Sequence, residues 1–75
     1  MNDAKLICTL QRQKAIDLIA GAMRVFYRHG VWNEYRKIPT KKAIESIQKS
    51  GYGADIYQDS SGQFYVSVPC DSDMW

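Results

Sequence analysis

Residues 54–68, AlaAspIleTyrGlnAspSerSerGlyGlnPheTyrValSerVal, alternate apolar and polar side chains on either side of a turn-forming cluster. Period-two alternation marks a half-buried strand, and it fixes register, because a slip of one residue turns every side chain to the wrong face. A loop of Ser60, Ser61 and Gly62 opposes Asp59 to Gln63, Ile56 to Val66 and Ala54 to Val68. Ala54, Ile56, Phe64, Val66 and Val68 then share one face, and Asp55, Tyr57, Tyr65 and Ser67 the other. A loop one residue longer opposes Ile56 to Tyr65 and mixes the faces. Gly62 falls where such loops need a left-handed residue. The hairpin says much about fold and little about chemistry.

Two helices are expected to cover its apolar face. Over residues 12–28, Ala15, Ile16, Ile19, Ala22, Met23, Phe26 and Tyr27 recur at helical spacing, and Gly30 follows as a cap. Leu6, Ile7 and Leu10 fall off that stripe, so residues 5–10 read more simply as a strand, with Thr9 capping the helix after it. A single long helix capped by Asp3 is the alternative. Pro39 and Thr40 open a second helix over 40–50, with Ala43, Ile44 and Ile47 as its stripe and Gly51 and Tyr52 closing it. Residues 31–38 read as a loop or one helical turn, and 71–75 as an acidic tail. The expected fold is α+β, one domain over residues 1–75. Its two helices pack on a small antiparallel sheet made of the C-terminal hairpin and the N-terminal strand.

A chain of 75 residues buries only about 60% of its unfolded surface, so partner binding or self-association as a homodimer can add stability. No apolar run approaches the roughly 20 residues that cross a bilayer. The first ten residues lack the basic leader and apolar length of a signal peptide. The expectation is a cytoplasmic protein, with no membrane partner and with Cys8 and Cys70 reduced. The net charge of +2 conceals a division. Residues 1–50 hold all ten basic side chains against four acids, a balance of +6, and residues 51–75 hold four acids and no base. Such asymmetry points either to a partner or to attraction between the halves.

The densest interaction-prone run is 27–37, where Tyr27, Trp32 and Tyr35 interleave with Arg28, Arg36 and Lys37. Tyrosine, tryptophan and arginine dominate protein-binding hot spots. Rings beside cations also stack bases and neutralise phosphates. The plainer reading has Trp32 and one tyrosine capping the core. Arg24, Lys41 and Lys42 extend the candidate surface, and Tyr57 with Tyr65 forms an aromatic patch edged by Asp55. The tyrosine pair also has a purely structural use as a cross-strand contact.

Catalytic signals are weak. His29 is the sole histidine, Cys8 and Cys70 lack metal-ligand spacing, and the glycines at 51, 53 and 62 form no phosphate loop. Tyr27, Arg28 and His29 together are the one arrangement that resembles a small ribonuclease's needs. No metal, cofactor or enzymatic activity is expected. The reading is a contact-acting protein that regulates or inhibits a macromolecular partner, a protein first and nucleic acid second. It works through the aromatic–basic surface or by presenting an acidic face that mimics nucleic acid. The alternative is a winged-helix-like nucleic-acid regulator using the basic second helix, with the objection that its wing would carry Asp55 and Asp59 towards phosphates.

Overall fold

The structure is a computed structural model that describes residues 3–29, 34–50 and 53–68. In chain order its elements are β1 (Lys5–Gln11), α1 (Arg12–Ile19), β2 (Arg24–His29), β3 (Arg36–Pro39), α2 (Thr40–Ser50), β4 (Ala54–Gln58) and β5 (Phe64–Val68). The strands form one mixed sheet in the order β1-β4-β5-β2-β3. The class is α+β with two helices.

The hairpin has the expected register. Asp55 pairs with Ser67, Ile56 with Val66, Tyr57 with Tyr65 and Gln58 with Phe64. Its mouth is closed by Asp59 N donating to Gln63 O at 3.1 Å and Gly62 N donating to Asp59 O at 3.0 Å, with Gly62 at φ +92°. The hairpin is not an appendage. β4 is flanked by β1, and β5 by β2.

The expected helix over 12–28 is corrected: α1 stops at Ile19, and 24–29 is a strand. Ala22 N donates to Ile19 O across the turn that separates them. The residues at 24–29 satisfy both periods, but Val25, Phe26 and Tyr27 are strand formers by shape. Pairing on both sides satisfies their backbone, parallel with β5 and antiparallel with β3. Val25, Tyr27 and His29 turn inward, and Met23, expected on the buried stripe, is 90% exposed. The segment 31–38, expected as loop or helical turn, instead contributes the edge strand β3 from Arg36. Its terminal Pro39 is tolerated there because an edge strand needs no further donor.

Residues 5–11 are a strand, antiparallel to β4 with bulges between Leu6 and Cys8 and between Cys8 and Gln11. That excludes the long helix capped by Asp3. Thr9 does not cap α1 either. The cap position is Gln11, without a side-chain bond, and Thr9 Oγ1 donates to Asp55 Oδ1 at 2.8 Å. The second helix runs over Thr40–Ser50 as expected. The expected closures at Gly30 and at Gly51 and Tyr52, the tail 71–75 and Cys70 lie outside the described residues.

Both helices contribute to one core. Ala15 and Ile19 of α1 and Ala43 and Ile47 of α2 meet Cys8, Val25, Tyr27, Ala54, Ile56, Val66 and Val68 from the sheet, with Phe64 packed at its margin. Inside it, Tyr27 Oη and Ser46 Oγ hydrogen bond. Alternation along the strands leaves the second sheet face without a helix among the described residues.

Candidate functional site

One row of side chains crosses the uncovered face. Leu6 on β1 is registered with Tyr57 on β4, Tyr57 with Tyr65 on β5, Tyr65 with Phe26 on β2, and Phe26 with Lys37 on β3. Backbone pairing sets each step, so the row is built by the sheet itself. At about 4.8 Å between strands it spans roughly 19 Å. The rings of Phe26 and Tyr65 stack with centroids 4.9 Å apart and planes 11° from parallel. Lys37 Nζ stands 5.5 Å from the Phe26 ring centre. Tyr35, just before β3, meets Tyr65 edge-on at 5.4 Å and 84°.

A second row runs beside the first. Asp55, Ser67 and Arg28 are registered across β4, β5 and β2. Arg28 Nε donates to Ser67 Oγ at 3.1 Å, and its guanidinium lies 5.9 Å from the Tyr35 ring centre. Asp55 Oδ1 accepts from Thr9 Oγ1 and from Leu10 N at 3.1 Å. Asp59 ends the face at the hairpin mouth. Its Oδ1 accepts from Ser61 Oγ, Ser61 N and Gln63 N, and its Oδ2 accepts from Tyr65 Oη at 3.0 Å. The Ser61 hydroxyl above all holds the Asp59 carboxyl below the ordinary aspartate range. Asp3 is lowered likewise, chiefly by the Ser60 hydroxyl. Burial first and Asp59 second push the Tyr65 hydroxyl up. Burial raises Tyr35 as well, against the opposing pull of Arg28. Cations thus gather over β2 and β3, and carboxylates that already accept hydrogen bonds gather over β4 and the hairpin mouth.

Of the residues singled out from sequence, Arg28, Tyr35, Lys37, Tyr57 and Tyr65 come together on this face. Arg24 lies on the same alternation of β2, at its end. Arg36 is registered with Tyr27 and so stands off the row. Lys41 and Lys42 are exposed on α2, on the opposite side of the sheet. Trp32 lies outside the described residues. Phe26 and Leu6 were missed: Phe26 was read into a helix stripe, and Leu6 had no known partner strand. The signal for Phe26 is the alternation of Arg24, Phe26 and Arg28 against Val25, Tyr27 and His29, whereas residues 5–10 carry no alternation that marks Leu6.

The triplet Tyr27, Arg28 and His29 does not form a joint site. Tyr27 and His29 are buried in the core with ring centres 5.8 Å apart, while Arg28 belongs to the other face. Cys8 is a buried free thiol. Among the described residues no three His, Cys, Asp or Glu side chains could hold a metal ion, and no helix is long and apolar enough to cross a membrane. On the helix side a shallow groove of about 520 Å³ runs between Met23 and α2, lined by Ala20, Ala22, Pro39 and Ile44 among others. It carries no ring. Compared with known proteins, the chain matches no family model, no curated protein and no solved structure.

Proposed function

We propose that this chain is a non-enzymatic binding protein of the cytoplasm that regulates or inhibits a macromolecular partner by direct contact, and that the uncovered sheet face is the contact surface. The observation that carries this reading is the registered row Tyr57–Tyr65–Phe26–Lys37, with Tyr35 and Arg28 beside it. Rings and guanidinium groups combine large apolar area with a polar tip, which is the composition of binding hot spots. A rigid sheet holds them at fixed spacing, so little ordering entropy opposes association.

The version in which an acidic face mimics nucleic acid has less support. Asp55 and Asp59 already accept internal hydrogen bonds, and Asp71 and Asp73 lie outside the described residues. The winged-helix version has less as well, because the hairpin is enclosed by β1 and β2 and does not stand out as a wing.

The test compares what co-purifies, protein and nucleic acid alike, with three forms of the chain. Arg28→Glu with Lys37→Glu should lose the partner while keeping the native circular dichroism spectrum. Lys41→Glu with Lys42→Glu, on the other side, should retain it. The reverse pattern would move the function to the second helix.

A further inference from the structure

Resting on that reading, we propose that the row across the sheet is a platform for single-stranded RNA. Phe26 and Tyr65 each give one ring face to the other, but Tyr57, the next ring in the row, has no stacking or hydrogen-bond partner among the described residues. An unstacked ring at the end of an aromatic row is where a splayed base adds without displacing anything. The charge on the face agrees. Arg24, Arg28 and Lys37 have no carboxylate partner among the described residues, whereas Asp55 and Asp59 are occupied by internal donors. Those donors are neutral, so both carboxylates keep their charge, but they stand over β4 and the hairpin mouth; over β2 and β3, beside Phe26 and Tyr35, the charge is positive and matches a phosphate backbone.

Shape narrows the class further. A sheet face offers no helix or ribbon to enter the major groove of a duplex, and flat rings read unpaired bases instead. The hydroxyls of Tyr57, Tyr35 and Ser67 line the same surface, and these groups can engage a ribose 2′-hydroxyl that DNA lacks.

The experiment is fluorescence anisotropy with a fluorescein-labelled, mixed-sequence RNA of about a dozen nucleotides. The same sequence as DNA and as a duplex provides the comparison. RNA should bind tightest. Three cations on three phosphates give a log–log salt slope of about −2, so raising salt from about 50 to about 200 mM should weaken binding roughly fifteen-fold. Tyr57→Leu keeps an apolar side chain and removes the π face, and should weaken binding about fivefold or more. Arg28→Glu with Lys37→Glu should abolish it, and Lys41→Glu with Lys42→Glu should leave it within about twofold.

No RNA binding at the lower salt overturns the proposal, and so does DNA or duplex binding as tight as RNA. If RNA fails but the face variants still lose a co-purifying protein, the contact surface stands and its occupant is a protein. If RNA binds and only the helix variants lose it, the sheet platform is overturned and the RNA belongs to the second helix.

Discussion

Gly53 and Gly62 both hold left-handed backbone, at φ +80° and +92°, for different reasons. A Cβ at Gly62 would meet nothing within 4 Å, so Gly62→Ala suffers backbone strain alone, about 1–2 kcal/mol. A Cβ at Gly53 would lie 2.9 Å from backbone atoms of Gln11 and Arg12, where β1 turns into α1. That backbone has to move, so Gly53→Ala should cost more than about 2 kcal/mol. Equilibrium denaturation of the two variants checks the order, and equal costs would remove the close approach from the account. Asp59 makes a pH prediction. Its folded pKa is depressed, so its contribution is present above the unfolded aspartate value and is lost as pH falls through the lower folded one. Asp59→Asn should therefore lower stability at neutral pH and flatten the acid limb of the stability curve, measured by denaturation across that range.

At the scale of elements, β1 is the weak member of the sheet. It lies at an edge, carries two bulges, and holds Leu10 at φ +50°, a conformation costly for leucine. Asp55 holds that geometry by accepting from Thr9 and Leu10. Asp55→Ala should cost about 1–3 kcal/mol and speed amide hydrogen exchange in β1 while β2 and β5 stay protected. Uniform loss of protection would mean that β1 is not a separable unit. The contrast between β1 and the hairpin also explains what could be read in advance. The hairpin's partners are a few residues apart, so turn chemistry and alternation together fix Ile56 opposite Val66. Residues 24–29 carry both a helical and an alternating pattern, and the choice is made by β5, far along the chain. Four residues at 36–39 are too few for any period to show. The candidate face inherits the same limit. Tyr57 and Tyr65 were legible as a pair, but Phe26 joins them only once β2 is known to lie beside β5.

For the whole molecule, the sheet separates two environments with opposite tolerance. Val25 and Val66 are fully buried beneath the helices. A carboxylate at either would be buried without a partner, so Val66→Asp should leave no folded protein. Arg28→Glu, next to Tyr27 on β2 but on the other face, loses one hydrogen bond to Ser67 and one cation–ring contact. That should cost about 1–2 kcal/mol and leave a cooperative melt. Thermal denaturation followed by circular dichroism separates the two outcomes.

The parallel seam between β2 and β5 joins Phe26 to Tyr65, a separation of 39 positions. Two antiparallel halves, β2 with β3 and β4 with β5, can each zip locally, but the centre closes only when distant stretches of chain find one another. Contact order of that kind slows folding, and refolding should fall in the millisecond-to-second range typical of sheets with non-local pairing and not in microseconds. Until that seam shuts, each half presents an unpaired strand edge, which makes the half-built sheet the species most prone to aggregate.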